Sequence, residues 1–290
     1  MSRWSELKFI VVGGDRREAE AAAFLSRMGP EVRTYRVQSG TGLQEIRDLK
    51  EGLSWADVLL CPVSGIGSGG LTKGGGPDPL VLSPAGFRPG FLIVSGLTDG
   101  NWARQASAAG AIVRDFRERD DFALANAVPT AEGAIAAAME MTDITLHGAD
   151  VAVFGSGRIA WPLALKLKAL SARVFLIARR PEALAQAAAF GLEPVDLQDA
   201  GDRLVTADVV FNTVPAMVLT QDRLARLPAA AVVIDLATAP GGTDFASASS
   251  LKLRAVLLPG LPGKVAPKTA GRIVAEVVRT TVLETPGFTG

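Results

Sequence analysis

The stretch Val151-Ala152-Val153-Phe154-Gly155-Ser156-Gly157-Arg158-Ile159-Ala160 decides the fold. A short apolar strand runs straight into G-x-G-x-x-A, and an alanine- and leucine-rich stretch follows. In such a strand–turn–helix unit Gly155 permits the tight turn and Gly157 lets the backbone approach a pyrophosphate. Ala160 is small enough for the helix to pack closely on the strand. The free N–H groups at the start of that helix, with its positive dipole end, complement the same pyrophosphate. Gly155, Ser156, Gly157, Arg158 and Ile159 are therefore the expected cradle of a dinucleotide.

A second strand, expected at residues 173–177, leads into Ala178-Arg179-Arg180-Pro181. NAD-binding domains of this kind usually place a carboxylate there for the ribose 2′-hydroxyl. Here there is none, and the guanidinium groups of Arg179 and Arg180 suit a 2′-phosphate. NADP(H) is the expected cofactor, with NAD(H) second; the alternative is a solvated basic turn. Further strand ends face the same edge of the sheet. They contribute Asn212, Thr213, Val214 and Pro215, then Asp235, Leu236 and Ala237, and finally Pro259. Some of these are ordinary turn residues, since Gly and Pro mark turns everywhere.

Outward from this unit, short β-branched runs alternate with helical stretches, the pattern of parallel α/β sheets. Strands are expected at 151–154, 173–177, 209–211, 232–235 and 255–257, and in the first half at 9–12, 32–37, 58–60, 91–94 and 111–113. Helices are expected at 18–28, 101–109, 159–170, 182–190 and 271–282. A helix at 131–141 bridges the halves, with Pro129 before it and Thr130 as its N-cap. The fold class is α/β: two doubly wound parallel-sheet domains linked by long helices, the C-terminal one a Rossmann domain. The expected boundaries are 1–125 for an N-terminal substrate or partner domain, 126–148 for a linking helix and 149–270 for the Rossmann domain. Residues 271–290 form a C-terminal helix packing back toward the N-terminal domain. Residues 65–76, GIGSGGLTKGGG, read as a mobile loop, either a plain surface connection or a flap over substrate.

Composition narrows the function classes. The 290 residues carry 30 basic and 30 acidic side chains, so nothing marks a nucleic-acid binder. Cys61 is the single cysteine, which fits a reducing compartment and a small buried strand residue. With one histidine besides, no Cys/His zinc site is expected. Residues 9–12 are too short for a signal sequence, and no segment approaches the ~20 apolar residues of a membrane span. A soluble cytoplasmic protein is expected. His147 precedes the strand at 151 and so lies at the far edge of the sheet from the cofactor. The histidine-based acid/base chemistry of 2-hydroxyacid dehydrogenases is therefore a poor fit.

Several segments together resemble the A-subunit family of the dipicolinate synthases of spore-forming bacteria, over nearly the whole chain. They are Gly13-Gly14-Asp15-Arg16, Asn126-Ala127-Val128-Pro129-Thr130-Ala131-Glu132-Gly133, Leu146-His147-Gly148, Gly155-Ser156-Gly157-Arg158 and Phe211-Asn212-Thr213-Val214-Pro215-Ala216. Asp235-Leu236-Ala237, Pro240-Gly241-Gly242-Thr243-Asp244-Phe245, residues 259–263 and Ala266-Pro267-Lys268-Thr269-Ala270-Gly271 complete the set. The glycine-rich loop at 65–76 is longer than that pattern. The resemblance implies pyridine-nucleotide-dependent formation of dipicolinate from a dihydrodipicolinate-type precursor of the lysine pathway. It also implies a flavoprotein-like B-subunit of the same synthase and a role in the mother cell during sporulation. A homo-oligomer is left open. A dicarboxylate substrate needs donors, for which Arg16 and Lys268 are the binding candidates and Thr130 and Lys264 the catalytic ones. Lys264 would shuttle a proton if it were buried; each basic residue reads equally well as a solvated charge. Two alternatives stand beside this reading: another NAD(P)-dependent dehydrogenase or imine reductase of a small acid, and a non-catalytic nucleotide-binding subunit.

Overall fold

The structure, a computed structural model, describes residues 3–38 and 42–288. They form two compact units. One comprises the described residues up to Asn126 together with those from Pro262 onward; the other is Ala127–Leu261.

In the first unit the order is β1 (Lys8–Val12), α1 (Arg16–Arg27), β2 (Glu31–Tyr35), β3 (Gln44–Glu45), α2 (Leu49–Trp55) and β4 (Val58–Leu60). A two-stranded antiparallel ribbon follows, β5 (Leu71–Thr72) with β6 (Leu80–Val81). Then come β7 (Leu92–Ser95), α3 (Gly100–Ala108) and β8 (Ile112–Asp115). Helix α4 (Asp120–Met141) contains the boundary between the units. The second unit continues with β9 (Asp150–Phe154), α5 (Ala160–Ala169), β10 (Arg173–Ala178), α6 (Pro181–Ala189), β11 (Glu193–Asp196) and α7 (Ala200–Leu204). It closes with β12 (Val209–Asn212), α8 (Gln221–Leu224), β13 (Val232–Asp235), α9 (Phe245–Ser250) and β14 (Arg254–Leu257). Helices α10 (Leu261–Val265) and α11 (Pro267–Glu284) end the chain.

Both main sheets are parallel and six-stranded, and both have the same order: β3-β2-β1-β4-β7-β8 and β11-β10-β9-β12-β13-β14. This is the doubly wound arrangement, with a reversal of strand order between the first and fourth strands of each sheet. The strands are apolar on both faces because helices cover both faces. Phe9 and Val11 enter one core cluster while Ile10 and Val12 enter another. Val151 and Val153 are likewise separated from Ala152 and Phe154. The two-residue period of a strand produces this division.

The units share a register device that the strand pattern alone does not reveal. Asp57, just before β4, accepts a hydrogen bond from the Lys8 amide at 3.0 Å, and its own amide donates to the Lys8 carbonyl at 2.8 Å. Asp208, just before β12, does the same with Asp150, at 2.8 Å in each direction. Each aspartate fixes its strand against the central one.

Several expectations need correction. Helix α4 begins at Asp120 rather than 131, and Pro129 lies inside it. Thr130 is thus a buried residue in mid-helix, not an N-cap. Proline removes one backbone donor and commonly opens a helix, but Asp120 and Asp121 in the first turn supply a better start. By length and composition α4 could cross a membrane, contrary to the expectation from sequence, although half of its most apolar stretch is buried. Ala131, Ala134, Ile135 and Ala138 sit in the second unit's core, so a packed core helix accounts for it. The second unit ends at Leu261 and not at residue 270. Helix α11 buries Ile273, Val274, Val277, Val278 and Val282 with Phe9 and Leu25 of the first unit.

Candidate functional site

The carboxyl edge of the second sheet is built around Gly155. Its φ is +111°, and a Cβ there would lie 2.3 Å from Thr213 Oγ1. Only glycine fits this corner. Thr213 is held in turn, its hydroxyl donating to the Phe154 carbonyl at 2.8 Å. At Gly157 the opposite holds: no atom lies within 4 Å of where a Cβ would project, and the residue is exposed. The backbone of this turn is open to solvent, next to the start of α5. Ala160 is buried against the core. Ser156 and Ile159 are half-buried, while Arg158 is exposed.

Beside this turn, β10 ends at Ala178, and Arg179 and Arg180 are exposed. Arg180 reaches back across the turn, donating to Ser156 Oγ at 3.2 Å and to its carbonyl at 3.4 Å. Its guanidinium also lies 3.7 Å from Glu182. The chain thus brings together Ser156 and Arg180 at the place where the outer ribose of a dinucleotide rests in this fold.

Asn212 and Asp235 depart from the expectation of direct cofactor contact. Both are wholly buried. Asp235 Oδ2 accepts from Asn212 Nδ2 at 3.0 Å, the Gly242 amide at 2.8 Å and Thr243 Oγ1 at 2.7 Å. Its Oδ1 accepts from the Ala237 amide at 2.9 Å. Asn212 also exchanges hydrogen bonds with the backbone of Val214. The two side chains therefore act on loops and not on a ligand. They tie the turn after β12 to the one after β13, and the Gly242 carbonyl accepts from the amides of Val218 and Leu219. Leu236 and Ala237 are buried, Val214 is half-buried, and Pro215 and Pro259 are exposed.

At the equivalent edge of the first sheet the turn after β1 carries a charged cluster. Asp15 caps α1, and Arg17 grips it with two hydrogen bonds of 3.0 Å each. Glu18 completes the capping box, accepting from the Asp15 amide at 2.7 Å and from the Val63 amide at 2.9 Å. It therefore clasps the turns after β1 and β4, the two strands that flank the reversal. Lys73 brings its Nζ to 3.4 Å from Asp15. Burial pushes Asp15 upward, but the hydrogen bonds and charge of Arg17 outweigh it and hold the carboxyl well below the usual range. Burial also raises Glu18, and there it prevails over Arg17.

The sign of the Glu18 shift makes a prediction. A raised folded value means that its contribution to stability is present below the ordinary glutamate range and is lost as pH rises through the folded value. The wild type should lose stability relative to Glu18→Gln as pH rises from the ordinary glutamate range toward neutrality. Denaturant midpoints for the two proteins across that range measure it; parallel curves would refute the assignment.

Arg16, the candidate from the sequence, is exposed, while its neighbour Arg17 is buried and bonded to Asp15. The helix period holds the signal: Arg17, Ala21 and Leu25 recur every fourth residue and share the buried face of α1. Lys264 and Lys268 are exposed on α10 and α11, so the burial a proton shuttle would need is missing at Lys264. Gly263, beside Lys264, packs on the Asp15–Arg17 pair, where a Cβ would be 2.9 Å from Asp15 Oδ1. Of the candidates for catalysis, Lys264 lies in the first unit and Thr130 in the second.

The glycine-rich loop is a built structure rather than a slack connection. Thr72 Oγ1 donates to the Gly65 carbonyl at 2.7 Å, and the Gly75 amide donates to the Arg36 carbonyl at 2.7 Å. The Gly14 amide donates to the Lys73 carbonyl at 2.8 Å. His147 is an exposed turn residue ahead of β9, as its position predicts. Cys61 is buried, and burial pushes its thiol upward, which makes it inert.

Comparison with known proteins covers nearly the whole chain. The family model of the N-terminal domain of the dipicolinate synthase A-subunit matches residues 8–115. The model described as D-isomer specific 2-hydroxyacid dehydrogenase, NAD binding domain, matches residues 111–241. The second unit is thus a Rossmann domain for a nicotinamide dinucleotide. The dipicolinate synthase A-subunit of Bacillus subtilis (strain 168) is 34% identical over 286 residues, covering 96% of each chain. The crystal structure of the dipicolinate synthase A-subunit from Bacillus halodurans superposes with a TM-score of 0.88 at 36% identity, covering 97% of this chain and 98% of that one. The crystal structure of the Bacillus subtilis protein gives 0.84 at 33% identity, with 96% of each covered. The chain belongs to the A-subunit family of the dipicolinate synthases.

Proposed function

We propose that this protein oxidises a dihydrodipicolinate-type precursor to dipicolinate with NADP+, acting with a flavoprotein-like second subunit in the cytoplasm of a sporulating mother cell. The observation that carries the reading is the contrast between two sheets of identical order. Over Gly157 of the second the cradle is open, whereas the position at the same offset in the first is Asp15, whose carboxyl caps α1 and is held by Arg17. Only the second offers its turn to a pyrophosphate.

The nicotinamide, when bound, supplies the hydride acceptor. The dihydropyridine ring gives up a hydride and a proton and becomes aromatic, so the step is driven by the product and asks little of a general base. That accords with Lys264 being exposed and with His147 lying at the far edge. Ser156, Arg179 and Arg180 would hold the 2′-phosphate. Asn212 and Asp235 would position the loops beside the ribose and nicotinamide. The charged turn after β1 would receive the substrate carboxylates.

Two experiments test this. Freshly generated lysine-pathway precursor with NADP+ should yield dipicolinate and NADPH, assayed with this chain alone and with its second subunit. No product under either condition, despite NADPH binding, would overturn the reaction. Replacing Arg179 and Arg180 together with serine should raise the NADPH Kd about 10- to 100-fold and the NADH Kd by less than about threefold. Equal losses would remove the 2′-phosphate assignment. The lack of a buried acid/base pair among the candidates also favours a second reading, a nucleotide-binding subunit that supports a catalytic partner. Turnover by the isolated chain would dispose of it.

A further inference from the structure

The geometry points to Lys73, on the glycine-rich ribbon, as an anchor for one carboxylate of a small dicarboxylate bound at the strand reversal of the first sheet. The inference deepens the proposed function and rests on it for the substrate class.

In open parallel sheets ligands gather outside the carboxyl ends of the strands, where the strand order reverses. In the first unit that place lies between the turns after β1 and β4, joined there by Glu18. The groups already present divide into satisfied and unsatisfied. Arg17 spends its guanidinium on both oxygens of Asp15. Glu18 spends both oxygens on backbone amides. Lys73 has three donors, and it meets Asp15 at 3.4 Å, the longest contact in the cluster. Its side chain is 54% exposed, so ammonium donors remain for an incoming anion.

The ribbon has the construction of a mount for this side chain. The Lys73 carbonyl is pinned by the Gly14 amide, and Gly13, with φ +59°, leaves room for it. Thr72 and Gly75 fasten the residues on either side. Holding the backbone leaves only the side chain to order when a ligand arrives, which lowers the entropic cost of binding. Asp15 keeps Lys73 aimed at the reversal before then. A carboxylate approaching there replaces one weak contact of Lys73 and leaves the Asp15–Arg17 pair intact. A lysine suits this use because its charge is compact and its donors rotate.

The test is titration calorimetry of the full chain with dipicolinate and, separately, with glutarate, at one fixed ionic strength. The wild type, Lys73→Met and Lys73→Arg are compared. Lys73→Met keeps the apolar stem at a largely exposed position, so the fold should survive. Its affinity for each dicarboxylate that the wild type binds should fall at least about tenfold. Lys73→Arg should stay within about threefold, and all three proteins should bind NADPH alike. Unchanged binding by Lys73→Met, or no binding of either dicarboxylate by the wild type, would overturn the inference. Loss on Lys73→Met without NADPH formation from the lysine-pathway precursor would instead sink the proposed oxidation and leave the anchor standing.

Discussion

Asp235→Ala is expected to cost about 3–5 kcal/mol of stability and to weaken dinucleotide binding by more than about 100-fold at temperatures where the protein still folds. Four donors converge on this one buried carboxyl: Asn212 Nδ2, the amides of Ala237 and Gly242, and the Thr243 hydroxyl. Alanine leaves them in a wholly buried place with no acceptor, and each unsatisfied donor costs about 1–3 kcal/mol before relaxation. Asn212 still has the Val214 carbonyl and Thr243 can turn its hydroxyl, so the sum is smaller than four full penalties. The functional loss follows from geometry. Asn212 sets Val214, beside Thr213, and Thr213 closes the corner over Gly155. Asp235→Asn keeps one acceptor but turns an amide toward the same donors, so it should fall between wild type and alanine. Denaturant unfolding and NADPH titration on the three proteins measure both effects. Full NADPH affinity in Asp235→Ala would show that the network holds the core and not the cofactor loops.

The sequence is most legible where local chemistry and fold agree. The strand 151–154, the turn at Gly155 and the helix behind it follow from one another, because each residue type there has a single geometric use. The strands buried on both faces are equally plain as apolar runs. What fails to show are elements held by contacts distant in sequence. Strand β3 has two residues, both exposed, and exists by pairing with Arg33 and Thr34. The ribbon in the glycine-rich loop has a composition that reads as slack, yet its glycines let backbone meet backbone, as Gly65 does with Leu97. Asn212 and Asp235 sit at strand ends where contact with cofactor is the obvious reading, and only three-dimensional packing reveals that they face each other. Arg17 is hidden by its neighbour. Two consecutive arginines open α1, and which of them turns inward is decided by helical phase.

The remaining large effect comes from setting the two turns against each other. Gly155→Ala should abolish tight NADPH binding, a loss of more than about 100-fold, and leave dicarboxylate binding in place. Gly13→Ala should do the reverse. At Gly155 the methyl group collides with Thr213 Oγ1 at 2.3 Å while the backbone is held at φ +111°, a region that other residues avoid. Relief requires the turn to open, and the turn is the cradle. At Gly13 the methyl collides with the Lys73 carbonyl at 2.0 Å, so the ribbon must lift and take its lysine along. The backbone there, φ +59°, is one that alanine adopts at a cost of only about 1–2 kcal/mol, so the turn itself should survive. Both glycines directly follow the central strand of a sheet with the same strand order, so a fold-wide defect would depress both ligands in both variants. Parallel titration of NADPH and dipicolinate separates the outcomes. Crossed losses mean that one duplicated architecture has been divided between two ligands by what lies over the glycine. Loss of both ligands in both variants would mean a fold-wide defect and would overturn that division.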